Sequence, residues 1–170
     1  MGYVFVLGGA RSGKSDLARR LGLESGCPVT FVATATAGDE EMAQRIARHR
    51  SSRPPAWSTV EAPLDVQAAI RAIPQNRFVI VDCLTLWVSN LLGEGRLPDE
   101  IRNLAEDAAS EMARREGVVV SNEVGLGIVP ANELARTFRD VLGAVNIVFA
   151  RCSEGSVLMV AGRALELRSQ

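Results

Sequence analysis

The sequence predicts an α/β domain in which helices cover both faces of a mostly parallel sheet, and three observations carry that prediction. Short apolar segments alternate with helical ones along the chain. The short segments are continuous apolar runs rather than alternating ones, the pattern of strands buried on both faces. The 170 residues are 47% hydrophobic and contain no repeat, low-complexity tract or linker, so a single domain over 1–170 with one sizeable core is expected.

Residues 3–7 are apolar, partly β-branched and stopped by Gly8-Gly9, which reads as the first strand. Residues 15–23 have helical spacing, with Leu17, Ala18 and Leu21 on one side. Residues 29–32 read as a second strand, and residues 39–52 as an amphipathic helix stopped by Pro54-Pro55. A short helix is expected over 64–73. The run FVIV at 78–81 is the strongest buried-strand signal in the chain. Helices follow over 84–92 and 98–115, then an apolar strand over 118–120. A helix is expected to start near Pro130, a favourable first-turn residue, and to reach about Cys152. Residues 157–161 read as the last buried strand, followed by a hairpin arm through Leu167. Ligands of such sheets gather at the carboxyl ends of the strands, here residues 8–15, 33–39, 82–85 and 121–127.

Composition excludes several function classes. With 19 basic and 20 acidic residues the net charge is −1, which gives no broad grip on nucleic acid or a membrane surface. No apolar run reaches the roughly 18 residues of a membrane span. The first residues lack a basic segment and pass directly into a glycine turn, unlike a signal peptide. Cys27, Cys83 and Cys152 are odd in number and widely spaced, which fits a reduced cytoplasmic protein without disulfides or a zinc site. Eighteen of the basic residues are arginine, and the only lysine is Lys14. An ammonium group at that one position invites a chemical reason.

Gly8, Gly9, Ala10, Arg11, Ser12, Gly13, Lys14 and Ser15 match G-x-x-x-x-G-K-[ST] throughout. The glycines let the backbone curl so that several N–H groups point at one phosphate, and the following helix adds its positive N-terminal end. Lys14 can reach the β- and γ-phosphates, and the Ser15 hydroxyl can bind Mg²⁺. Lying between a predicted strand and a predicted helix, the motif marks a nucleotide phosphate site, and the expected fold class is the P-loop NTPase, RecA-like.

Asp82 ends the FVIV strand, where a second acidic residue can serve the metal; it also precedes a helix and suits an N-cap. His49 is the only histidine. Seven residues at about 100° each bring it within about 20° of Met42, and Ile46 shares the stripe, so a histidine packed on the core face is one reading. Against it stand Arg45, Arg48, Arg50 and Arg53, four cations that form an anion pocket. A neutral imidazole there can attack phosphorus as a nucleophile. Glu123, on the loop after the VVVSN run, is a candidate to face substrate or metal and equally reads as a solvated loop carboxylate.

These residues, taken together, resemble a family. GGARSGKS at 8–15, FVATAT at 31–36, DEEMAQRIARHRSSRP at 39–54, WSTVE at 57–61, VDCLTLWVSNLL at 81–92, VSNEVGLGIVP at 120–130, LARTFRDVLGAVN at 134–146 and VAG at 160–162 span nearly the whole chain in order. They are similar to the bifunctional adenosylcobinamide kinase/adenosylcobinamide-phosphate guanylyltransferases of cobalamin biosynthesis. The resemblance implies phosphorylation of the aminopropanol hydroxyl of adenosylcobinamide by ATP or GTP. It then implies transfer of GMP from GTP to that phosphate, through a GMP-histidine intermediate at His49. Nucleotide contacts fall by resemblance on Gly8 to Ser15, on Ala33, Thr34 and Ala35, on Arg50, Ser51, Ser52 and Arg53, and on Glu61 and Asp82. The resemblance also suggests a homotrimer.

Two other readings differ from this one. In a simple P-loop small-molecule kinase His49 would be structural. A nucleotide-switch module of the GTPase kind would carry DxxG after the acidic strand and an NKxD motif, whereas Asp82 is followed by Cys-Leu-Thr and no NKxD occurs.

Overall fold

The computed structural model describes residues 2–38, 40–51 and 53–168. Asp39, the first residue of the predicted second helix, and Ser52 lie outside the described residues, as does the side chain of Arg45. The elements in chain order are β1 (Tyr3–Gly8), α1 (Lys14–Glu24), β2 (Val29–Ala33), α2 (Glu40–Ser51), β3 (Ser58–Glu61), α3 (Val66–Ala72) and β4 (Phe78–Asp82). They continue with α4 (Leu84–Gly93), α5 (Pro98–Met112), β5 (Gly117–Val120), α6 (Glu133–Cys152), β6 (Gly155–Val160) and β7 (Arg163–Leu167). The seven strands form one sheet in the order β3-β2-β4-β5-β1-β6-β7. Every pairing is parallel except that of β6 with the edge strand β7. Among the described residues no helix is long and apolar enough to cross a membrane.

Successive side chains of a strand point to opposite faces, and here the two faces are covered unequally. Phe5, Val79, Val81 and Val119 join a large core with residues of α3, α4, α5 and α6, including Ile70, Trp87, Ile101 and Leu142. Val6, Phe31, Ile80, Val118 and Val120 point the other way, into a smaller core with Leu17 and Ala18 of α1. Helix α1 packs on β1, β4 and β5. The four-helix face is closed, while the α1 face leaves space beside α1 at the carboxyl ends of the strands.

Three differences from the sequence reading have physical reasons. Strand β3 was not anticipated: its two end residues are exposed and its two middle ones only half-buried, and STVE carries no apolar run. Its partner is β2, to which it pairs in parallel from Thr30–Ser58 to Ala33–Glu61. The helix predicted to run to Arg115 stops at Met112, because Arg115 turns inward and its guanidinium donates to the carbonyls of Arg71, in the last turn of α3, and of Ile73 and Pro74 just beyond it. Helix α6 starts at Glu133 rather than at Pro130. Asn132 is its N-cap, and its side-chain oxygen accepts a hydrogen bond from the Ala135 N–H at 3.2 Å. Replacing Asn132→Ala is expected to cost about 1 kcal/mol and to lower Tm by roughly 2–4 °C in a melt followed by circular dichroism. Pro130→Ala should cost less than Asn132→Ala if the cap, and not the proline, sets the helix start.

Candidate active site

A cavity of about 900 Å³ opens on the α1 face at the carboxyl ends of the strands. Its floor follows from register. Glu61 pairs with Ala33, Ala33 with Asp82, and Asp82 with Val120, and residues paired in this way point to the same side of a sheet. All four line the cavity. One step earlier the row Thr59–Phe31 does the same.

The loop after β1 forms one wall. At Gly8 an added Cβ would lie 2.6 Å from the Met159 carbonyl oxygen, and Gly13 has φ +97°, with Gly162 only 3.2 Å from where its Cβ would be. Only glycine fits this curl between β1 and the β6–β7 turn, which is pinned by the Gly162 N–H donating to the Ser12 carbonyl at 2.9 Å. Lys14 is 8% exposed, and its ammonium donates to the carbonyls of Gly8 at 2.9 Å and Gly9 at 2.6 Å. Arg11, a non-glycine residue at φ +55°, presents its side chain to the cavity. Helix α1 begins at Lys14 with no side chain capping its first N–H groups, an end suited to an anion. The Ser15 hydroxyl donates to Asp82 Oδ2 at 3.0 Å, so the last residue of the loop and the end of β4 meet.

Helix α2 forms the opposite wall. The Met42–Ile46–His49 stripe faces the cavity, and His49 is exposed rather than packed in a core. Glu40 and Glu41 in the first turn, with Arg48 and Arg50 in the last, complement the helix dipole. Arg53 lies over the Phe31 ring, its Cζ 3.5 Å from the centroid, and donates to Thr59 Oγ1 at 3.2 Å. Burial pulls the Arg53 guanidinium below its ordinary value, with Asp82 opposing and Arg50 adding to the shift. Arg50 reaches Glu61 at 3.8 Å in an exposed ion pair. Among the described residues the cavity wall holds five cationic side chains, Arg11, Lys14, Arg19, Arg50 and Arg53, against the carboxylates Asp16, Glu61 and Asp82. That excess of positive charge suits a polyphosphate.

Of the residues singled out from the sequence, Ala10 to Ser15, Ala33, Ala35, His49, Arg50, Arg53, Glu61 and Asp82 meet at this cavity. Gly8 and Gly9 act through their carbonyls on Lys14. The Ser51 hydroxyl is turned to the Arg48 carbonyl, and Ser52 lies outside the described residues. Thr34 does not reach the wall. It is fully buried, donates to the Cys83 carbonyl at 2.7 Å and accepts from the Cys83 N–H at 2.9 Å, tying β2 to β4. Asp82 does not cap α4, whose N-cap is Cys83 without a side-chain cap bond. Glu123 accepts from the Gly125 N–H and closes a turn. Sequence reasoning missed Phe31, Thr59, Arg19 and Asn122, all at the wall.

Residues 4–167 match the family described as cobinamide kinase / cobinamide phosphate guanyltransferase (CobU). The chain belongs to this family. It is 46% identical to the bifunctional adenosylcobalamin biosynthesis protein CobP of Pseudomonas aeruginosa, over 97% of this chain and 96% of the relative. It is 38% identical to the bifunctional adenosylcobalamin biosynthesis protein CobU of Escherichia coli, over 97% and 99%. Among solved structures it is similar to the flagellar accessory protein FlaH of Methanocaldococcus jannaschii, with TM-score 0.53, 16% identity, 98% of this chain and 78% of that one. It is also similar to the RadB recombinase, with TM-score 0.51, 17% identity, 92% and 73%. At those identities the likeness concerns the fold alone, the P-loop NTPase architecture expected from the sequence. As a CobU-family member the chain is a bifunctional cobinamide kinase and cobinamide phosphate guanylyltransferase.

Cys83 offers a chemical reading of the cavity floor. Burial first, and the adjacent Asp82 carboxylate second, push its thiol up to about 11. Alkylation of Cys83 by iodoacetamide, followed by peptide mass spectrometry, is expected to accelerate with pH through 10 without a plateau. Asp82→Asn, which removes the neighbouring charge, should move that rise to lower pH; an unmoved profile would contradict the proximity of the two groups.

Proposed function

We propose that His49 is the nucleophile of the guanylyl transfer and that both reactions draw on the one cavity on the α1 face. The observation that carries this reading is that His49 and the phosphate-binding residues Lys14 and Ser15 line the same cavity. In the kinase step the hydroxyl of adenosylcobinamide attacks the γ-phosphorus of ATP or GTP, the bond to the bridging oxygen breaks, and the nucleoside diphosphate leaves. That step needs positioning and charge neutralisation, not a protein nucleophile. In the guanylyl step an imidazole nitrogen of His49 attacks the α-phosphorus of GTP and pyrophosphate leaves. An oxygen of adenosylcobinamide phosphate then attacks that phosphorus, the imidazole is released, and adenosylcobinamide-GDP results. Splitting the transfer in this way replaces one difficult displacement by two easier ones.

Within the cavity Lys14 and the N-terminus of α1 hold the β- and γ-phosphates, and Arg11, Arg50 and Arg53 offset charge on the phosphoryl oxygens. Ser15 and Asp82 present two hard oxygens side by side, a donor set that fits Mg²⁺ completed by phosphate oxygens and water. When bound, Mg²⁺ neutralises charge on the phosphates. The resemblance to the family supports a homotrimer. Strand β7, exposed along all five residues with Leu165 and Leu167 among them, is a surface such an assembly would cover. A cytoplasmic location is supported by the three free cysteines.

Lys14→Ala is expected to lower both activities by on the order of 10²–10³-fold, since it removes the charge at the transferring phosphates. His49→Ala should separate them: GMP transfer to adenosylcobinamide phosphate and the protein-bound GMP seen by mass spectrometry fall by on the order of 10³-fold or more, while kinase turnover persists. Protein-bound GMP on the His49→Ala chain would overturn the nucleophile assignment.

A further inference from the structure

The loop joining β5 to α6 is fastened firmly at both ends, yet it holds its apolar side chains in water. At its start the Ser121 hydroxyl donates to Asn146 Oδ1 at 2.6 Å, Asn146 Nδ2 donates to the Asn122 carbonyl, and the Asn122 N–H donates to Thr85 Oγ1. The Glu123 N–H donates to the Gly8 carbonyl at 3.1 Å, which ties the loop to the phosphate-binding turn. At its end Arg136 donates to the carbonyls of Pro130 and Ala131. Between these anchors Leu126 is 85% and Ile128 96% exposed, with Val129 at 63%. Three large apolar side chains within four residues, all held out in this way, mark a surface that something covers.

We propose that this patch is the docking surface for the corrin ring of the acceptor, a site that rests on the acceptor reading of the preceding subsection. Two observations select this occupant. The loop that carries the patch springs from the reaction site: β5 lies between β1 and β4, Asn122 at the root of the loop lines the cavity, and the next residue is bonded to the Gly8 carbonyl. And a cavity of about 900 Å³ is of the size that a single small ligand fills, so with a nucleoside triphosphate inside it the macrocycle must rest outside. The reacting oxygen of adenosylcobinamide stands at the end of a flexible aminopropanol arm, so the ring has to sit within an arm's length of the phosphate-binding turn. A corrin presents methyl-bearing faces and a rim of amides. Leu126, Ile128 and Val129 match the faces. Gly127, with nothing within 4 Å of where its Cβ would be, leaves open space beside them for the rim.

The test uses the full-length chain carrying Leu126→Ser and Ile128→Ser together. Because both side chains are almost fully exposed, the melting temperature should match wild type. The KM for adenosylcobinamide in the kinase reaction is expected to rise about tenfold or more, as for the loss of buried aliphatic contacts. The KM for ATP and the amount of protein-bound GMP formed from GTP alone should stay unchanged, and Leu126→Met with Ile128→Val should restore the wild-type KM. An unchanged KM for adenosylcobinamide overturns the proposal. So does an altered subunit number by sedimentation, which would assign the patch to contact between copies of the chain. A wild-type chain that leaves adenosylcobinamide unphosphorylated would overturn the acceptor reading itself, and the docking site with it.

Discussion

Residues paired in register across a parallel sheet point to the same side of it, and one row of this sheet, Glu61–Ala33–Asp82–Val120, points to the side that helices cover least. A slip of one residue would turn Asp82 into the core beneath α3 to α6 and part it from Ser15. The unequal cover is equally necessary. Four helices close one face with residues such as Trp87 and Phe149, which leaves α1 and α2 free to stand as two walls over the other. The active cavity is thus a consequence of strand register together with an unbalanced distribution of helices.

Charge organises what that geometry encloses. The Lys14 ammonium is buried against the carbonyls of Gly8 and Gly9, so the loop that would cradle phosphate is already curled around its own cation. Across the cavity Arg53 is held over the Phe31 ring, and Arg50 is paired loosely with Glu61. These cations stand on different elements, Lys14 on α1 on one wall and Arg50 and Arg53 at and just beyond the end of α2 on the other, with the His49 ring beside the second set. In the proposed mechanism a triphosphate bound between the walls would bridge them, so that one cavity serves both its γ-phosphorus and its α-phosphorus.

Much of this was legible in the residues, and the gaps have identifiable causes. The apolar runs at β1, β2, β4 and β5 announced buried parallel strands, and the G-x-x-x-x-G-K-[ST] pattern announced the turn. Strand β3 escaped because an exposed edge strand such as STVE needs no apolar run. The Met42–Ile46–His49 stripe was visible, but periodicity tells only that a face is covered, not whether protein or ligand covers it. Here the stripe faces the cavity. Thr34 shows another limit: the family resemblance placed a nucleotide contact there, and the structure engages its hydroxyl with the backbone of Cys83. Phe31 went unnoticed as part of the site because an aromatic in a buried strand reads as core, and only the fold brings Arg53 above it.

The claim on which the rest depends is that kinase and guanylyl transfer share one nucleotide-holding cavity per chain. It is tested most directly by titrating the protein calorimetrically with a non-hydrolysable GTP analogue and then displacing that analogue with its ATP counterpart. The account predicts about one equivalent of GTP analogue per chain, lost competitively as the ATP analogue is added. Two equivalents per chain, or simultaneous retention of both analogues, would contradict it.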